Sequence, residues 1–328
     1  MKPETGNLRF EKRRGSALVV VLWIIMIIAL IVSSFAFEMQ LESKIITLQR
    51  KRFKADQLAL AGVEMAKAML AFKEEKNPTG EKTVYEDPYL NEAVKIADAL
   101  PVVYSEPFGD GEVTVKIDYE EGRRNIKKLN ADEWKVLFEQ AGIPNIRWDA
   151  MLDCLGDWQD PDDLHKLNGA ESDDPFYQKR GYECKNAPVD TVDELLLIKN
   201  WDKEILYGTP PGEKTDEPIT GIANLLTTWG DGLINPNSAS TNVLNSMKIS
   251  DSMINAILEV RAEDEGINQK NFDAMGLGTT GLFTLKPNYV KVTAIGKVGD
   301  VQSQISCIFK LGEKAAVPLF WLEGKTSE

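Results

Sequence analysis

The chain has 328 residues, a net charge of −13 and a sequence pI near 4.8. That length buries a core without disulfides, and the acidic balance argues against nucleic-acid phosphate as a partner while leaving room for divalent cations. Three cysteines (Cys154, Cys184, Cys307) and one histidine, His165, do not make a disulfide scaffold, a zinc site or a catalytic triad, and no phosphate loop is present, so the chain reads as a non-enzyme.

Residues 17–37 form a run of 21 residues without a charge. About 20 helical residues cross a bilayer core. Lys2, Arg9, Lys12, Arg13 and Arg14 precede the run, against Glu4 and Glu11, which keeps the N-terminus cytoplasmic and exports the rest. The run is longer than a signal-peptide core, and the small residues Gly15 and Ser16 stand before it instead of after it. The helix is expected to continue, because residues 16–76 contain no proline and one glycine, Gly62, and Leu58, Ala61, Met65 and Met69 recur at helical spacing. Asn77, Pro78, Thr79 and Gly80 break the pattern.

Val102, Val103 and Tyr104, a Gly109-Asp110-Gly111 turn and the alternating residues 112–118 predict a hairpin. Residues 289–295 and 301–311, turned by Gly299-Asp300, predict a second, and 320–322 a short last strand. Between these strand groups the chain reads as helical and loop-rich. Helices are expected at 131–141, at 192–198 with Thr191 as N-cap, at 239–247 and at 251–261.

The stretch between Cys154 and Cys184 carries eight acids: Asp157, Asp160, Asp162, Asp163, Glu171, Asp173, Asp174 and Glu183. Its prolines and glycines argue against regular structure. Crowded carboxylates need solvent, protons or a cation, and calcium suits such an oxygen-rich set. The spacing is not that of an EF-hand. Trp158, Phe176, Tyr177 and Tyr182 predict that the stretch folds back onto a core. A solvated acidic loop is the other reading. In an oxidising compartment Cys154 and Cys184 can close a disulfide; otherwise they are buried thiols, and Cys307 is a core residue. Residues 234–261 are similar to the helix-hairpin-helix of DNA-binding proteins, but their linker, 247–251, has no glycine and carries Asp251.

The basic leader, the Gly15-Ser16 junction, the uncharged run and the continuing helix resemble the class III signal of type IV pilins and type II secretion pseudopilins. The resemblance implies prepilin-peptidase cleavage after Gly15 and methylation of Ser16. The usual glutamate at mature position five is here Val20, a departure shared with minor pseudopilin K, general secretion pathway protein K. Asp157-Trp158-Gln159-Asp160-Pro161-Asp162-Asp163, Gly169-Ala170-Glu171, Asn186-Ala187-Pro188 and the Ile234-Asn235-Pro236-Asn237-Ser238-Ala239 segment also resemble that family.

The implied fold is α+β: a pilin-like long N-terminal helix and small antiparallel sheet, with a large α-rich domain inserted between strands. The implied segments are a leader at 1–15, the membrane half of the helix at 16–37, pilin-like helix and strands at 38–121, the insertion at 122–287 and returning strands at 288–328. The resemblance implies calcium on Asp157, Asp160, Asp162, Asp163, Glu171, Asp173 and Asp174. It also implies a role at the tip of the secretion pseudopilus, starting its assembly and helping export folded proteins. Minor pseudopilins of the I and J types, the major pseudopilin, prepilin peptidase and membrane lipid are the implied partners. The implied location is the bacterial inner membrane, with the bulk of the chain in the periplasm. Alternatives are a minor pilin of a type IV pilus and a membrane-anchored DNA-uptake receptor.

Overall fold

A computed structural model describes residues 16–72, 85–212, 218–262, 266–312 and 316–324. The uncharged run continues into one uninterrupted helix, α1 (Ser16–Ala71), of 56 residues. At 1.5 Å per residue it is roughly 84 Å long. Its apolar stretch has a mean hydropathy of 3.0, is long enough to cross a membrane and buries nothing against the rest of the chain. Only the C-terminal part packs, through Ala55, Ala59, Val63, Ala66 and Met69. Gly15, the expected cleavage position, and the expected break at 77–80 lie outside the described residues.

A second helix, α2 (Pro88–Ala97), was not expected from the periodicity. Its signal was present: Asp87 caps it by accepting from the Tyr89 N–H, and Pro88 stands in the first turn. The hairpin follows as β1 (Val102–Phe108) and β2 (Gly111–Tyr119). Alternation buries Val113, Val115, Ile117 and Tyr119 against α1.

The chain leaves the sheet after Tyr119. It then forms β3 (Arg124–Asn125), α3 (Ala131–Gln140), α4 (Trp148–Gln159), α5 (Pro175–Arg180), α6 (Lys203–Tyr207), β4 (Leu226–Thr227), α7 (Thr241–Asn245), α8 (Asp251–Arg261) and α9 (Gln269–Ala274). It re-enters as β5 (Tyr289–Val298), β6 (Val301–Lys310) and β7 (Val317–Gly324). The sheet order is β1-β2-β5-β6-β7, every neighbouring pair antiparallel. The exit and entry strands are therefore hydrogen-bonded neighbours, with Val115 opposite Ala294. Both edge strands carry a proline, Pro107 and Pro318, where a missing N–H costs no ladder bond.

Helix and sheet approach closely because the contact residues are small. A Cβ on Gly62 would lie 3.0 Å from Ala294 Cβ and 3.0 Å from Val113 Cγ1. A Cβ on Gly296 would overlap the Ala55 carbonyl. The inserted part has its own cores. One gathers Trp134, Phe138, Met151, Trp158, Tyr177 and Trp201; a smaller one gathers Val243, Leu244, Ile257 and Phe272.

Several expectations need correction. Residues 192–198 form a 3-10 turn (Val192–Leu197) and not an α-helix, and Thr191 makes no side-chain cap bond. The Glu194 carboxylate accepts from Trp158 Nε1, Lys185 Nζ and the Asp190 N–H, holding the segment by its side chain. The helix expected over 239–247 is shortened to α7, starting from the Ser240 cap. The acidic stretch is not devoid of regular structure: its first residues complete α4, and α5 lies inside it. The last strand is longer than 320–322.

Candidate functional site

The acidic stretch folds back as its aromatics imply. Trp158 and Tyr177 are buried with ring centroids 5.8 Å apart, and Tyr182 joins them at 6.2 and 5.8 Å. That packing pulls the end of α4 inward and takes Asp157 with it. Asp157 is fully buried. Its carboxylate accepts from the Lys166 N–H at 3.2 and 3.3 Å and from Lys166 Nζ at 3.3 Å. Lys166 Nζ also pairs with Asp160. Burial alone would lower the lysine pKa, but its bonds to Asp160 and Asp157 outweigh burial and raise it.

Two glycines shape this pocket. A Cβ on Gly169 would overlap the Asp157 carboxylate, so only a glycine lets the 166–169 turn close over it. A Cβ on Gly156 would lie 2.7 Å from Lys166 Cε, so α4 leaves a groove for the lysine stem.

Glu171 is 1 % exposed, and neither carboxylate oxygen has a hydrogen-bond partner. Burial pushes its pKa up to about 7, with Asp157, Asp160 and Asp163 adding and His165 opposing. Asp160 Oδ1 is likewise buried and unpartnered. So is Asn186 Oδ1, on a residue whose N–H bonds the Trp158 carbonyl beside the same end of α4. Asn186 adopts φ 51°, and motif reading gave it no polar role.

Of the seven expected cation ligands, Asp157 and Asp160 are tied together by Lys166, and buried Glu171 lies within electrostatic range of both and of Asp163. The others are engaged elsewhere. Asp162 accepts from the Leu164 N–H at 2.9 Å. Asp173 pairs with His165 at 2.8 Å on the surface. Asp174 caps α5 and binds Lys199 at 2.7 Å; burial would raise its pKa, but Lys199 and the Phe176 N–H together bring it below the ordinary value. Among the described residues, no three Asp, Glu, His or Cys side chains converge closely enough to hold a metal ion as they stand. The donor set still fits a hard divalent cation, because carboxylate oxygens are buried here without partners.

Cys154 and Cys184 are buried free thiols and not a disulfide. Cys154 Sγ faces the Asn168 carbonyl and Cys184 Sγ the Ala170 carbonyl, each at 3.5 Å. Burial pushes both thiols up to about 11. Cys307 is buried in β6.

In the helical hairpin, Ser240 and Ser250 cap α7 and α8, and Lys248 takes the left-handed turn position, φ 54°, in a linker that has no glycine. Arg261 closes the module by donating to the Ala239 carbonyl. Asn237 Nδ2 donates to the Ile267 carbonyl at 3.0 Å and its Oδ1 accepts from the Ile267 N–H at 2.8 Å. The asparagines of this segment are therefore internal struts.

In the N-terminal part of α1, Val20 is exposed with its apolar neighbours. Of Ser16 only the helical backbone is described. A cleft of about 290 Å³ separates the inserted part from the sheet face of β5 to β7, between Trp229 and Tyr207 on one side and Ile308, Phe320 and Leu322 on the other.

Residues 116–209 match the family model of type II secretion system (T2SS) protein K. The stretch runs from β2 to just beyond α6 and contains the acidic pocket. The fold is similar to a chain of the crystal structure of the GspK-GspI-GspJ complex from the enterotoxigenic Escherichia coli type 2 secretion system. That match covers 88 % of this chain and 100 % of the other, with a TM-score of 0.50 at 13 % identity. The family match covers the acidic motifs that carry part of the resemblance to protein K, and the structural likeness is one of fold. Among curated proteins no sequence matches the chain.

Proposed function

We propose that this chain is a non-enzymatic minor pseudopilin of a type II secretion system, standing at the tip of the pseudopilus, where it starts assembly and helps export folded proteins. The observation that carries the reading is the insertion of a protein K-like α-rich domain between neighbouring strands β2 and β5, on a sheet borne by an apolar helix long enough to cross a membrane. Such a bulge obstructs a further subunit above it.

Val20 adds a second support. In pilin-like filaments the glutamate at this position pairs with the amino terminus of the subunit above, and an unpaired carboxylate in lipid costs several kcal/mol. A terminal subunit has nothing above it and no use for that charge. Prepilin peptidase would cut after Gly15 and methylate Ser16, leaving a single-pass inner-membrane protein with its bulk in the periplasm. Its partners would be minor pseudopilins of the I and J types and the major pseudopilin. The other minor pseudopilins are favoured by the likeness to a chain solved in complex with GspI and GspJ.

The acidic pocket is read as a calcium site held by Asp157, Asp160 and Glu171. Calcium would supply the positive charge that the buried carboxylates lack and so brace the inserted domain.

Loss of the protein is expected to impair secretion of folded proteins, and unaltered secretion rejects the role. Replacing Gly15 should leave the leader uncut on a gel. Titration of the full-length chain in detergent micelles with calcium should give heat and a higher melting temperature; neither appearing rejects the calcium site.

A further inference from the structure

We propose that Lys166 is a tethered counter-ion of the acidic pocket, occupying the place of a divalent cation and leaving when that cation binds; this rests on the calcium reading above. The geometry is specific to the lysine. Its ammonium bridges Asp157 and Asp160, while its backbone N–H independently holds the Asp157 carboxylate. The turn therefore stays anchored if the side chain departs. The stem lies in the groove that Gly156 leaves on α4. The Lys166 side chain is 40 % exposed, whereas Asp157 is fully buried, so the lysine can swing to solvent and the carboxylate cannot.

Charge decides the exchange. One ammonium serves two carboxylates, Asp157 and Asp160, and a third, Glu171, is buried within their electrostatic range. Glu171 gains nothing from the lysine: neither of its oxygens has a hydrogen-bond donor. A divalent cation brings twice the charge and accepts several oxygen ligands at once, which a single ammonium cannot do. Lys166 thus keeps the pocket folded when calcium is scarce, and it sets the calcium concentration at which the pocket fills, because each binding event must break its two ion pairs.

Two substitutions separate this from a purely structural lysine. Lys166→Met keeps the stem and removes the charge. Gly156→Ala keeps the lysine and evicts its far end, while an alanine in the helix interior is itself favourable. Each full-length variant in detergent micelles is titrated calorimetrically with calcium and melted in chelator and in excess calcium. Both variants are expected to bind calcium about tenfold or more tightly than the parent. Lys166→Met should also melt lower in chelator and recover in calcium. Parent-like or weaker affinity in both variants overturns the exchange while leaving the calcium site standing. No binding by the parent or by either variant overturns the calcium reading and the exchange with it.

Discussion

The side-chain amide of Asn235 donates to the backbone carbonyl of Ala99 at 3.0 Å, joining residues 136 positions apart. Asn237 Nδ2 reaches the Asp98 carbonyl in the same turn at 3.3 Å. This turn links α2 to β1, so the two asparagines fasten the inserted domain to the body of the sheet. Asn235 and Ala99 are both buried. Truncating the amide leaves a carbonyl without water or partner. Asn235→Ala is expected to cost about 1–3 kcal/mol, read from guanidinium melts of the full-length chain in micelles. An unchanged midpoint would remove this strut from the account.

Two other long-range ties should matter far less. Lys51 pairs with Asp300 at 2.6 Å, and Lys54 pairs with Asp110, pinning both hairpin turns to α1. All four side chains are well exposed, where water and salt screen the attraction. Lys51→Ala and Lys54→Ala should leave the melting temperature unchanged within error. A clear drop in either would mean the turns depend on these pairs to dock.

Glu121 sits where the chain leaves and re-enters the sheet. Its carboxylate accepts from the N–H groups of Asn288 at 2.6 Å and Tyr289 at 3.1 Å. Burial, against those bonds, pushes its pKa up to about 7 from an ordinary 4.5. The folded chain thus holds this proton more tightly than the unfolded chain. Stability from this group is full below about pH 4.5 and is lost as pH rises through about 7. Glu121→Gln keeps an acceptor and cannot ionise. Between pH 5 and pH 8 it should lose less stability than the parent, by at most about 3 kcal/mol. Melts at the two pH values check this, and because Glu171 is present in both chains its own slope cancels. Identical pH slopes would clear Glu121 of the effect.

Gly169 is required by space and not by backbone angle. Alanine there meets the Asp157 carboxylate. Gly169→Ala is expected to destabilise by about 1–3 kcal/mol, as overpacked sites do, and to abolish calcium-induced stabilisation. A variant that melts and responds like the parent would show that the turn can relax without consequence.

The thiols offer a simple check. Cys154, Cys184 and Cys307 are buried, and burial raises all three. They should resist alkylation in the folded chain and take three labels after unfolding without reductant. Only one label would instead indicate that Cys154 and Cys184 have joined.

Some of this was legible residue by residue. An uncharged run and a proline-free continuation specify α1, because hydropathy and helix propensity act locally. Strict alternation marks β2 and β5, and the Asn130 and Glu133 capping box marks the start of α3. Asp87 and Pro88 mark the start of α2 by the same local chemistry.

The roles of the acids were not legible in the same way. Asp157 and Asp174 are the same side chain in the same acidic stretch. One is sealed under Gly169 beside unpartnered Glu171, and the other caps α5 with Lys199 at hand. What separates them is contact with residues distant in the chain, which composition cannot encode. The sequence by itself determined a helix long and apolar enough to cross a membrane, alternating strands and an acidic, aromatic stretch, since each depends on local period and charge. Only the tertiary structure decided that β2 and β5 are neighbours, that the 192–197 segment winds as a 3-10 turn, and which carboxylates are buried, because burial and partners are set by packing between segments that meet only in the folded chain.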